Sequence, residues 1–180
     1  IMSGLTFDKR ELCNLEYSLD REMLATDRRG GYMSTTIIGC NTRKYHGLMV
    51  APIDQSDRTF VLLSSLDETV IQHDQSFHLA IHRFNGVYEP RGHKYITDFE
   101  YTPTPTITYR IGGVVLRKEL LWIHNRTQLM IRYTLVDAHS ETTLRLRPLL
   151  AFRDKHSLSK ANMEADGRAE ENGINKDVFA

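Results

Sequence analysis

Ile107-Thr108-Tyr109-Arg110-Ile111-Gly112-Gly113-Val114-Val115-Leu116-Arg117-Lys118-Glu119-Leu120-Leu121-Trp122-Ile123 is the stretch whose reading decides the fold. Two runs of β-branched, aromatic and aliphatic residues flank a Gly-Gly pair, the signature of a hairpin. The pattern then repeats. His124 to Thr127 turns into Gln128 to Val136, and Asp137 to Glu141 turns into Thr142 to Phe152. Four such runs joined by short turns predict an antiparallel meander. No long stretch keeps a 3.6-residue apolar period bounded by caps, so few helices are expected. The fold class is all-β, a large antiparallel β-sandwich with long strands.

Upstream the pattern is less regular. Leu12, Leu15 and Leu24 are candidate anchors of the first 25 residues, and Asp27 to Gly31 reads as a charged turn. Tyr32 to Ile38 and Leu48 to Ile53 read as strands. In Thr59 to Gln72, Phe60 to Leu63 form a continuous apolar run expected to be buried, and Leu66, Val70 and Ile71 continue it. Phe77, Leu79, Ile81 and Phe84 suggest one further strand, ended by the Asn85-Gly86 turn. Pro103 and Pro105 are expected to interrupt regular structure before Ile107. Arg153 to Ala180 is rich in Lys, Asp, Glu, Asn and Ser and reads as polar loop or one weak strand that ends abruptly, as a truncated chain would.

A length of 180 residues fits one domain with a core large enough to fold without staples. Lys plus Arg and Asp plus Glu number 23 each, so nothing in the charge favours nucleic acid. Cys13 and Cys40 are too few for a disulfide framework and belong to no metal-type pair. The first 25 residues are too charged for a signal peptide, and no apolar run reaches the ~18 residues of a membrane span. A cytoplasmic location, with no membrane partner, is the expectation.

Candidate chemistry centres on Gly39 to Pro52. Asn41 suits a turn, and Gly39 and Gly47 allow a bulge or close approach of another segment. In an extended segment Tyr45 would share a face with Arg43 and Gly47, opposite Lys44 and His46. A cation beside a ring with a glycine gap is a plausible cradle for a sugar, a carboxylate or a neighbouring domain. The plainer reading is a structural corner in which Arg43 pairs an acid and Tyr45 caps the core.

Other clusters are weaker. His78 and His82 share a strand face but lie about 13 Å apart at the usual rise, too far for one ion, so no metal is expected. Adjacent Asp67 and Glu68 would point to opposite faces. Asp98 and Glu100 would share a face at roughly 7 Å, the order a glycosidase needs, yet an exposed strand explains them equally. Tyr88, Tyr95, Phe99 and Tyr101, with His93 and Lys94 among them, suit either sugar stacking or core packing.

Residues 30 to 68 carry a family resemblance. Gly30, Gly31, Ser34 and Thr35, then the string Asn41-Thr42-Arg43-Lys44-Tyr45-His46-Gly47-Leu48, then Leu62, Leu63, Ser64, Leu66 and Glu68, are similar to the N-terminal domain of bacterial and archaeal glycogen debranching enzymes. Arg147, Pro148, Phe152, Arg153, Asp154 and His156 resemble a later motif of that domain. Asp27, Arg28 and Arg29 depart from the family's usual Asn-rich approach to the glycines.

The resemblance implies a β-supersandwich over residues 1–152, with 153–180 leading toward a C-terminal (α/α)6 barrel. The whole enzyme would be an amylo-α-1,6-glucosidase acting on glycogen, an α-glucan, with its carboxylates in the barrel and no cofactor. This chain alone would be inactive. It would either dock on the barrel and shape its pocket, or bind α-glucan itself, through Asn41, Arg43, Tyr45, His46, Gly47, Arg153 and His156. A stand-alone α-glucan-binding or interaction module is the alternative.

Overall fold

The structure is a computed structural model and describes residues 4–53 and 58–156, together with the backbone of 169–170 and 173–174. Its strands in chain order are β1 (Leu5–Asp8), β2 (Glu22–Thr26), β3 (Tyr32–Thr36), β4 (Gly47–Pro52), β5 (Thr59–Gln72), β6 (Gln75–His78), β7 (Ile81–Phe84) and β8 (Val87–Arg91). They continue with β9 (Ile96–Tyr101), β10 (Pro105–Ile111), β11 (Val114–Trp122), β12 (Leu129–Asp137), β13 (Thr143–Asp154), and the short pair β14 (Ala169–Glu170) and β15 (Gly173–Ile174). Two five-residue helices, α1 (Lys9–Cys13) and α2 (Leu15–Leu19), follow β1. The remaining residues of the segment expected to be polar loop or weak strand, 157–168, 171–172 and 175–180, lie outside the described residues.

The chain is an all-β sandwich. One sheet has five strands in the order β1-β9-β10-β11-β12; the other has six, β13-β5-β4-β3-β2 with β6 added on β5. A separate ribbon pairs β7 with β8. The core lies between the two sheets, where Met23, Met33, Leu48 and Val70 of the larger meet Ile107, Tyr109, Leu116, Leu120 and Trp122 of the smaller. Alternation explains which side chains enter it: along β11, residues 114, 116, 118, 120 and 122 are buried and their neighbours are more exposed. The deciding hairpin has the expected register, Ile111 opposite Val114, and Gly112 sits at φ 56°, a left-handed angle that glycine adopts without strain.

Several expectations need correction. The fourth run does not extend the meander: β13 leaves β12, crosses to the other sheet and pairs with β5 along most of its length. Sequence alternation cannot distinguish a hairpin partner from a strand that changes sheets, because both leave one face apolar. The run from Phe77 to Phe84 is two strands, split at Leu79 and Ala80; β6 continues the six-stranded sheet, whereas β7 leaves it and Phe84 is 75% exposed. Phe60 to Leu63 is not continuously buried, since only Val61 is enclosed. Leu24 points outward at 59% exposure, while its neighbour Met23 supplies the anchor. Pro105 opens β10 instead of interrupting it, a position where the missing N–H does little harm.

The helices are too short for a periodicity to register. Capping holds them instead. Asp8 accepts from the Glu11 N–H at 3.0 Å while Glu11 accepts from the Asp8 N–H at 3.2 Å, and Asn14 caps the second helix through the Tyr17 N–H. Leu12 of the first and Ser18 of the second are the side chains they bury completely.

Candidate functional site

The family-like string forms the connection between β3 and β4, and most of it is tied down. Asn41 accepts from the Thr35 hydroxyl at 2.7 Å and donates to the Ser64 carbonyl oxygen at 2.9 Å, joining the loop to β5. Thr36 Oγ1 donates to the Cys40 carbonyl and accepts from the Cys40 N–H. Burial pushes the Cys40 thiol up to about 11, so it stays protonated and packs as a small apolar group. Gly47 is required by packing: a Cβ there would lie 2.9 Å from Val50 Cγ2 and 3.0 Å from Val61 Cγ1.

Residues 43 to 46 are a turn, closed by the His46 N–H donating to the Arg43 carbonyl at 3.0 Å. The extended-strand expectation therefore fails, and the partners are exchanged. Arg43 and His46 converge on Glu22 of β2, while Lys44 and Tyr45 face His156 at the end of β13. A turn reverses the chain every few residues, so side chains two apart need not share a face.

His46 is almost fully buried. Its Nδ1 accepts from the Thr42 N–H at 2.9 Å and the Arg43 N–H at 3.3 Å, which places the ring hydrogen on Nε2. Nε2 lies 3.1 Å from Glu22 Oε1, near enough for attraction but out of line for a good hydrogen bond. Burial lowers the His46 pKa, and the charge of Glu22 opposes this only in part. Neutral His46 is thus a support for the loop. Arg43 forms an ion pair with Glu22, the plainer of the two roles foreseen for it.

Tyr45 does not cap the core. It is 39% exposed, its ring meets that of His156 edge-on at 5.6 Å, and Lys44 Nζ stands 5.2 Å from its centroid. The Tyr32 hydroxyl donates to the Tyr45 carbonyl at 2.9 Å, and Tyr32 lies near enough to Arg153 for each to shift the other's pKa. The structure thus brings Tyr45, His156 and Arg153 to one end of the six-stranded sheet, with Lys44 and Tyr32. Asn41, His46 and Gly47 lie behind this surface as its frame.

The remaining candidates disperse. His82 pairs with Asp67 at 2.7 Å and His78 with Thr69 at 3.1 Å; among the described residues no three His, Cys, Asp or Glu converge on a metal-sized site. Asp98 and Glu100 are exposed on β9. Phe99 is core, Tyr95 packs on Phe77, and the Tyr101 hydroxyl donates to the Leu24 carbonyl, so the aromatic group forms no common platform. His93 is buried, and burial, aided by Arg91 and Lys94, lowers its pKa to about 4.

One cluster was not anticipated. Glu68 of β5 is buried between the sheets, and its Oε1 accepts from Lys118 Nζ of β11 and from the Tyr133 hydroxyl of β12, each at 2.5 Å. Burial and the charge of Glu68 raise the Tyr133 pKa far above its ordinary value, so the phenol remains a donor. A signal existed in the sequence: Lys118 occupies an inward position between Leu116 and Leu120, where a cation demands a buried acid.

A family model described as glycogen debranching enzyme N terminal matches residues 21–179. The chain belongs to that family. The match covers the Asn41 to Leu48 string, Glu68 and the Arg147 to His156 motif together. No curated protein and no solved structure gives a significant match. No helix among the described residues is long and apolar enough to cross a membrane.

Proposed function

We propose that this chain is the non-catalytic N-terminal domain of a cytoplasmic glycogen debranching enzyme, a glycoside hydrolase that removes α-1,6-linked glucose at branch points. It packs against a C-terminal (α/α)6 barrel, which carries the chemistry, and shapes the barrel's pocket. Family membership supports the setting. The observation that carries the docking role is the apolar surface along two open edges. β12 and β13 each end a sheet, and Met130, Leu135, Val136, Leu146 and Leu150 on them are all more than two-fifths exposed. Strand edges lined with large apolar side chains are a liability unless something covers them.

The carboxylates support the absence of catalysis by this domain. Glu68 is sealed by Lys118 and Tyr133, Asp67 is held by His82, and Asp98 and Glu100 stand exposed on the open surface of β9. The test compares α-1,6-glucosidase activity on a branched limit dextrin for this chain and for the full-length gene product. Activity confined to the longer protein, and reduced there by Leu135→Asp or Leu146→Asp, is the expected result. Turnover by the chain alone would overturn the proposal.

A further inference from the structure

The β7–β8 ribbon ends in a tight turn in which Phe84 lies opposite Val87, and Asn85 and Gly86 between them take φ of 49° and 81°. Positive φ at both central residues is the two-residue turn that matches the twist of the strands, and Asn-Gly adopts it readily. The turn therefore asks nothing of the two residues that flank it. Both are apolar nonetheless. Phe84 is 75% exposed, the highest value of any large hydrophobic side chain among the described residues, and Val87 is 60% exposed. Directly paired residues project from the same face of a ribbon, so the two form one apolar tip. Arg83 and Tyr88, the next pair, take the other face, with the guanidinium 6.0 Å from the ring centroid.

The base of the ribbon is as firmly held as its tip is bare. Ile81 belongs to the core, and His82 pairs with Asp67 of β5 at 2.7 Å. The Arg83 N–H reaches the Cys40 thiol, and the Gly92 N–H donates to the Ala80 carbonyl at 2.9 Å. The ribbon joins neither sheet of the sandwich. Two strands alone are marginal in water, so these contacts at the base are what hold the ribbon in place. The result is an apolar knob on an anchored stem.

The size of the knob selects what covers it. A buried Phe removes roughly 150–250 Å² from water and a Val less, so the tip supplies at most a few hundred Å² of interface. A separate protein or a second copy of this chain needs about 1,000 Å² to stay bound. A patch this small serves only a partner that is kept nearby by other means, and a domain of the same polypeptide is kept nearby by the chain itself. The shape selects too. A rigidly presented aromatic side chain gains most in a pocket that encloses it and excludes water.

We propose that the β7–β8 tip is a key that enters an apolar recess in the remainder of the debranching enzyme's own polypeptide, with Phe84 as the anchor and Val87 beside it. The choice of partner rests on the reading above that this chain is the N-terminal part of a longer enzyme. The need for a cover rests on the exposed pair. The open edges of β12 and β13 supply the area of contact, and the tip fixes where on the partner this domain sits.

The test is hydroxyl-radical footprinting, read by mass spectrometry, of the 180-residue chain and of the full-length gene product. Phe84 should be oxidised readily in the chain alone and about fivefold or more slowly in the longer protein, as an enclosed anchor would be. Leu135 and Leu146 report on the sheet edges in the same experiment. Protection of these two without Phe84 would overturn the key and leave docking standing, whereas protection of none of the three would sink both. Phe84 protected in the chain alone, either as its concentration rises or on addition of maltoheptaose, would make a second copy or a glucan the occupant and overturn the proposal. Phe84→Ser should leave the urea midpoint of the chain alone unchanged and, in the longer protein, return Val87 oxidation toward its rate in the chain alone. A lowered midpoint in the chain alone would mean that the tip serves this domain's own fold, and would equally overturn the proposal.

Discussion

Glu68 and Glu22 do similar jobs in different surroundings. Each carboxylate draws a cation and a second ring-bearing group from other elements: Lys118 and Tyr133 for Glu68, Arg43 and His46 for Glu22. Glu68 lies in the core and joins the two sheets, with side-chain exposures of 3% for the acid and 8% for the lysine. Glu22 lies at the rim and joins β2 to the β3–β4 connection, where Arg43 is 59% exposed. Attraction between charges is similar in kind at both, but water screens the second and not the first. Solvation, not the pairing itself, decides how much of the fold depends on each acid.

The largest effect should come from breaking the buried pair. Lys118→Met leaves Glu68 charged, enclosed and held by one phenol, and should destabilise the chain by about 3–5 kcal/mol in urea unfolding. Combining it with Glu68→Leu removes the stranded charge and should recover at least half of the loss. A double variant no more stable than Lys118→Met would mean that the two sheets need the ion pair itself, not merely a satisfied core.

Next comes Asn41, whose amide is part of the frame behind Tyr45. Asn41→Ala removes the donor to the Ser64 carbonyl and the acceptor for the Thr35 hydroxyl. The expected cost is about 1–3 kcal/mol, smaller than for Lys118 because no charge is stranded. If the family string is a frame and not a ligand set, this variant should also loosen the loop, seen as faster amide exchange at Thr42 and Arg43, whose N–H groups point to His46.

How much of this was legible follows the range of each interaction. Strand identity is written in nearest-neighbour alternation, so the β10–β11 hairpin and most of β12 could be read directly. Partners distant in sequence could not: β13 looks like a fourth meander strand yet pairs with β5. The string around Asn41 was recognisable as special, and Gly47 was rightly placed where bulk would obstruct. The face assignments of Arg43, Lys44, Tyr45 and His46 failed because a turn replaced the assumed strand. The pairing of Glu68 is the instructive omission. Its partner Lys118 stood in an inward register position, but recognising this required the sheet pairing first, since Lys118 and Glu68 are 50 residues apart.

The rim site should respond to pH through His46. Burial lowers the His46 pKa below its ordinary 6.5, so the unfolded chain binds the proton more readily than the folded one. Stability is therefore fully present above pH 6.5 and falls as the pH drops below it toward the folded pKa, by at most about 1.4 kcal/mol per pH unit. His46→Gln should be less stable than wild type at pH 7 and show a shallower decline between pH 7 and 5. Equal slopes would place the loss on other groups.

Arg43→Ala should have the smallest effect, below about 1 kcal/mol. The guanidinium is more exposed than buried, its attraction to Glu22 is screened, and holding a long side chain in place costs rotamer entropy that offsets the gain. Removing it also leaves Glu22 as the single charge beside His46, which raises the relative preference for protonated imidazole, because Arg43 itself lowers the His46 pKa. The variant should thus be nearly as stable as wild type at pH 7 and lose less than wild type as the pH falls toward 5. A loss at pH 7 as large as that of Lys118→Met would mean that the rim is as dry as the core, and the distinction between the two acids would collapse.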